Sequence, residues 1–131
     1  ALLGRRADWP ASWFSTLAGF VEAGETAERT LVREVGEEAG IAVDPARIVY
    51  RGSQPWPFPR SLMLGYHAWA GGDLTPNPDG TEIAEARWFS RTELLRALET
   101  GEVRLPPRVS IARRLVEDWY GQTLPGSWSR P

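Results

Sequence analysis

The apolar positions of this chain fall into two periods, one of nearly four residues and one of two. From Thr26 to Ala39 the residues are mostly good helix formers, and Ala27, Leu31 and Val35 recur every fourth position. That spacing predicts a helix with one buried stripe, and Gly40 suits the left-handed stop after its last turn. Trp13 to Leu17 and Arg47 to Gly52 read as strands, Ser61 to Ala70 alternates enough for a longer one, and Glu85 to Phe89 reads as another. Ala1 to Arg6 is also strand-like. Between them, Gly71 to Gly80 is an exposed, turn-rich loop. Ser90-Arg91-Thr92-Glu93 has the form of a capping box opening a helix through Glu99, stopped by Gly101. Val109, Ala112, Leu115, Val116 and Trp119 make one apolar stripe on a final helix. The pattern predicts an α/β (α+β) domain over residues 1–122, a mixed β-sheet sandwiched between helices, with a loose tail over residues 123–131.

Charge changes the picture on the first helix. If Ala27, Leu31 and Val35 point inward, Glu34, Glu37 and Glu38 share the neighbouring face. One helical turn rises only about 5.4 Å, so the Glu34 and Glu38 carboxylates reach a common ion, and Mg²⁺ favours such hard oxygen ligands. Three glutamates on a helix are more often a solvated face. Here the spacing overrides that ordinary explanation. Gly19, five residues, Glu25, seven residues, then Arg33-Glu34-Val35-x-Glu37-Glu38-x-Gly40-Ile41 fills every fixed position of a loop–helix–loop signature.

That signature resembles the Nudix box of hydrolases that cleave a nucleoside diphosphate linked to another group. The resemblance implies a Nudix fold whose catalytic loop–helix–loop binds Mg²⁺ or Mn²⁺ and positions water against a pyrophosphate. A second constellation narrows it. Ser53-Gln54-Pro55-Trp56-Pro57-Phe58-Pro59-Arg60-Ser61 alternates prolines with aromatics, so it reads as a stiff extended loop holding flat rings in set directions. A proline-rich spacer whose aromatics cover the core is the alternative. Together with the box, the segment resembles the NADH pyrophosphatase subfamily, which splits NADH into reduced nicotinamide mononucleotide and AMP and removes NAD caps from RNA.

The resemblance implies roles for named residues. Metal ions would be held by Glu34, Glu38, Glu82 and the main-chain oxygen of Ala18, with Glu37 in a metal-linked or proton-transfer role. Gln54 to Ser61, comprising Gln54, Pro55, Trp56, Pro57, Phe58, Pro59, Arg60 and Ser61, would recognise substrate, Glu82 would bind it as well as the metal, and Ala112 would line the nicotinamide side. Phe20 would pack on a base. Gly19, Glu25 and Gly40 support the motif, and Arg33 is expected to orient neighbouring carboxylates, since a guanidinium offers five donors in a planar fork. A surface ion pair between Arg33 and Glu37 is the simpler reading of that arginine. His67, the only histidine, reads as a packing or surface residue, because pyrophosphate hydrolysis here needs carboxylates and metal.

Composition sets the outer limits. A chain of 131 residues with 42% hydrophobic content can bury one real core. It has no cysteine, so the zinc ribbon that the resemblance leads one to expect upstream is absent from these residues. No run approaches the ~18 uninterrupted apolar residues of a membrane span and no signal sequence is recognisable, so no membrane partner and a cytoplasmic location are expected. A net charge of −2 argues against a general nucleic-acid-binding surface. The family's sheet would begin one strand earlier than Leu2, so the chain is expected to be a piece of a longer protein with its first strand missing. The expected partner is a small dinucleotide or the NAD-capped 5′ end of RNA, and the expected assembly is a homodimer. Two alternatives remain at this stage: a Nudix hydrolase of another diphosphate such as ADP-ribose, and a nucleotide-binding sensor without turnover.

Overall fold

The computed structural model describes residues 1–57 and 59–128. Its elements run β1 (Leu2–Arg6), α1 (Ala27–Ala39), β2 (Ala42–Trp56), β3 (Ser61–Gly71), β4 (Ile83–Trp88), α2 (Arg91–Thr100) and α3 (Ile111–Tyr120). This is the expected α+β architecture. Both ladders are antiparallel, β1 with β4 and β2 with β3, and parallel pairing is confined to single bridges at Trp13–Arg104 and Leu105–Ser127.

The helix ends follow local chemistry. Thr26, Ser90 and Ser110 are extended N-caps whose hydroxyls accept from Arg29, Glu93 and Ala112 backbone N–H groups. Gly40, at φ 67°, and Gly101 take the left-handed stop that side chains disfavour. The core gathers Leu3, Phe14, Phe89, Leu94, Leu98, Val103, Leu105, Val116 and Leu124 between the β1–β4 pair and the two later helices.

Several expectations need correction. Trp13 to Leu17 is no continuous strand: it bridges to Arg104 at Trp13 and to Gly4 at Ser15, and a segment that changes partners within three residues cannot build a ladder. Ala27, Leu31 and Val35 are only half-buried, because α1 packs chiefly against one strand, β2, with less contact to β4, and the buried positions of α1 are Thr30, Glu38 and Ala39. The stiff segment after Gly52 is largely hairpin. Gln54, Pro55 and Trp56 pair with Met63, Leu62 and Ser61, leaving Pro57, Pro59 and Arg60 at the tip, while Phe58 lies outside the described residues. A strand with one partner leaves alternate donors facing outward, where proline removes no ladder bond.

Val109 is 80% exposed and precedes α3 rather than joining its stripe, whereas Leu115 and Trp119 are half-buried. The tail is not loose as far as Trp128. Leu124 and Trp128 are buried, and the Trp128 ring stacks on Trp13 at a centroid distance of 4.7 Å. Residues 129–131 lie outside the described part.

Candidate active site

Arg33 stands at the centre of the acidic face. Its Nε and Nη2 donate to the two Glu25 carboxylate oxygens at 2.7 and 2.9 Å, and its Nη1 donates to Glu34 at 2.8 Å and to Glu37 at 3.2 Å. Nη2 also reaches the Phe20 carbonyl at 3.1 Å. One planar fork therefore fixes the loop before α1 and three carboxylates on or before the helix. Both readings of Arg33 hold, since the Glu37 ion pair is one arm of the orienting fork. Glu25 also accepts from Glu22 N–H and the Thr30 hydroxyl, and Arg33 holds its carboxyl down to about 2. The Arg33 guanidinium is correspondingly pushed further above its already high value by Glu25 and Glu34.

Glu38 has the opposite environment. Its side chain is buried, with 3% of the residue exposed, and its Oε2 has no hydrogen-bond partner. Burial, the hydrogen bond with Glu34, and the charges of Glu34, Glu82 and Asp79 push its carboxyl up to about 8. An orphaned buried carboxylate oxygen beside further carboxylates is costly for a metal-free protein and suited to a divalent cation with hard oxygen preference. The residues present therefore fit Mg²⁺ or Mn²⁺. Among the described residues, no three His, Cys, Asp or Glu side chains converge closely enough to form a ready cage. Glu34 and Glu38 meet, whereas Glu82 is exposed at the start of β4 and acts on Glu38 through its charge.

The loop wall is equally close. Gly19 lies against Glu34 with no room for a β-carbon, which sets the loop that carries Ala18 beside that carboxylate. Phe20 follows with 80% of its surface exposed, an uncovered flat ring next to the acids. Gly40 is packed on Asn77, which ties the end of the box to the segment leading to Glu82.

Gln54 is committed elsewhere. Its Nε2 donates to the Val109 carbonyl at 2.6 Å and its Oε1 accepts from Ile111 N–H at 2.9 Å, latching the hairpin to the start of α3 beside buried Ala112. Trp56 is 48% exposed, Pro57, Pro59 and Arg60 are exposed, and Ser61 opens β3. A cleft of about 280 Å³ runs between Ser53–Pro55 and Ile111, Arg114 and Leu115. Among the described residues, no hydrogen bond or ion pair joins this hairpin tip to the acidic helix. His67 has the expected packing role, with Nε2 2.9 Å from the Leu115 carbonyl. Two features escaped the sequence reading: Arg113, fully buried on α3, and Asp79, which caps the turn before Glu82. The Asp79-Gly80 pair was the available signal for the second.

Comparison with known proteins agrees with this geometry. A family model described as the NUDIX domain matches residues 1–109. The NAD-capped RNA hydrolase NudC of Mycobacterium bovis is 49% identical over 127 residues, covering 91% of this chain and 40% of that protein. The Stutzerimonas stutzeri protein of the same name is 45% identical over 124 residues, covering 94% and 41%. The chain thus spans about two-fifths of the length of these curated relatives. A crystal structure of a NUDIX hydrolase from Nitrosomonas europaea superposes with a TM-score of 0.65 at 26% identity, covering 98% of this chain and 71% of that one. Because the family model extends over most of the sequence, and over every box residue gathered around Arg33, the chain belongs to the Nudix family.

Proposed function

We propose that this chain is the catalytic domain of a metal-dependent hydrolase that splits the pyrophosphate of NADH or NAD⁺ into AMP and, respectively, reduced or oxidised nicotinamide mononucleotide, and removes NAD caps from RNA. The observation that carries the reading is buried, partnerless Glu38 Oε2 within a carboxylate set ordered by Arg33. Similarity to relatives named NAD-capped RNA hydrolase supports the substrate class.

Glu34, Glu38, Glu82 and the Ala18 carbonyl would hold Mg²⁺ or Mn²⁺, which when bound neutralises the diphosphate and makes water a stronger nucleophile at neutral pH. The chain's own residues do the rest. Arg33 holds Glu34 through Oε1, and Glu38 gives up its proton to become a ligand. Glu37, more exposed and bound to Arg33 through Oε2, takes a proton from the attacking water on Oε1. Exposed Phe20 offers a face to a base, and Trp56 another to nicotinamide.

Among the described residues, no hydrogen bond or ion pair joins the hairpin tip to the acidic helix in one chain, which favours a homodimer that brings a tip to a partner's acids. The exposed Tyr50, Leu62 and Leu64 on β2 and β3 offer it an apolar face. A cytoplasmic setting suits these substrates. Incubating the protein with NADH, NAD⁺, NAD-capped RNA and ADP-ribose in Mg²⁺ or Mn²⁺, with products identified by mass, tests the proposal. Reduced nicotinamide mononucleotide and AMP from NADH, and nicotinamide mononucleotide and AMP from NAD⁺, are expected; turnover of ADP-ribose alone would overturn the substrate assignment.

A further inference from the structure

The segment before β4 is folded onto the end of α1. Asn77 N–H donates to the Ala39 carbonyl at 2.7 Å, and Asp79 N–H donates to the Glu38 carbonyl at 3.2 Å. Asp79 then turns back on its own chain. Its Oδ1 accepts from the N–H groups of Thr81 at 3.1 Å, Glu82 at 3.1 Å and Ile83 at 2.9 Å, while Gly80, at φ 77°, closes the turn by donating to the Ile83 carbonyl. One residue therefore grips the backbone of Glu38 through its amide and the backbone of Glu82 through its carboxylate. The Glu38 side chain is buried, and among the described residues its Oε2 has no hydrogen-bond partner.

We propose that Asp79 is a positioning residue that fixes Glu82 relative to Glu38 for divalent-cation binding, acting through its hydrogen-bond acceptor and not as a ligand itself. The inference rests on the reading of Glu82 as a metal ligand. Three N–H groups converge on one oxygen, which commits the acceptor capacity of that oxygen to the backbone. Without it, the turn keeps only the Gly80 N–H bond to the Ile83 carbonyl, and the Glu82 backbone loses its tie to the residue bonded to Glu38.

The test is Mn²⁺ binding to the metal-free protein, followed by indicator competition, with no substrate present. Asp79→Asn keeps an acceptor and loses the charge; Asp79→Glu keeps the charge and moves the acceptor. The inference expects Asp79→Asn to bind like the wild type, and Asp79→Glu and Asp79→Ala to bind about tenfold more weakly, the scale of residues that orient ligands. Asp79→Ala should add nothing in a Glu82→Gln background. Wild-type affinity in Asp79→Glu, loss in Asp79→Asn, or additive losses with Glu82→Gln would each overturn it. If Glu82→Gln alone leaves Mn²⁺ affinity unchanged, the metal role of Glu82 fails and the inference fails with it. Additive losses, by contrast, would leave that role standing.

Discussion

Gly19 and Glu34 are packed so closely that a β-carbon on the glycine would fall within the carboxyl group of the glutamate. The loop thereby sets the depth of Glu34 as firmly as Arg33 sets its direction. Gly19→Ala must push the carboxylate off Arg33 or lift the loop from α1. A misplacement near 1 Å costs on the order of 100-fold in rate, so kcat is expected to fall by about that factor while circular dichroism stays native. Wild-type turnover in this variant would show that the position of Glu34 is not needed.

Glu38 links activity to stability in opposite senses. The folded protein raises its carboxyl from 4.5 to about 8, so the fold prefers the protonated form. That preference is fully present below pH 4.5 and is lost as pH rises through about 8. The melting temperature of metal-free protein should therefore carry a downward component across this window, and saturating Mn²⁺ should remove it. Glu38→Gln should flatten the metal-free profile and lower turnover by at least ~100-fold. Identical pH profiles for the variant and the wild type would refute the assignment.

Trp56 should separate recognition from chemistry. It is half-exposed at the end of β2. Base–aromatic contacts are worth ~1–3 kcal/mol by alanine substitution, so Trp56→Ala should lose up to ~100-fold in kcat/KM for NADH. Diadenosine diphosphate, which lacks nicotinamide, should lose less. An equal loss on both substrates would assign Trp56 to folding or assembly.

Assembly has its own probe. Leu62 is 64% exposed and Leu64 41%, on the hairpin face that also carries Tyr50. Light scattering should find a dimer, and Leu64→Asp should yield monomers with reduced activity, because a charge at such a contact goes unpaired. A fully active monomeric wild type would eliminate the shared site.

What the sequence made legible was local. Thr26 and Gly40 bound α1 because a cap and a left-handed stop act over a few residues, and the carboxylates of the box follow from helical spacing. Long-range packing was not legible. Nothing near Leu124 or Trp128 signals burial, which depends on Arg113, Leu105 and Trp13 far away in sequence. Pro55 reads as a loop residue because its neighbours do not reveal that β2 will have only one partner. Gln54 looked like a ligand-facing end, yet its amide is matched by two backbone groups from the start of α3.

The burial of Arg113 also couples the docking of α3 to the segment that follows it. Its guanidinium has no exposed surface, and its hydrogen-bond acceptors are the carbonyls of Pro106, ahead of α3, and of Leu124 and Gly126, beyond it, with Glu117 on the same helix 3.6 Å away. Drawing that cation inside while the segment around residue 126 is detached would deprive it of two of those carbonyls, a cost on the order of several kcal/mol. Helix and segment therefore come loose together, and the interior on this side seals only when both are in place.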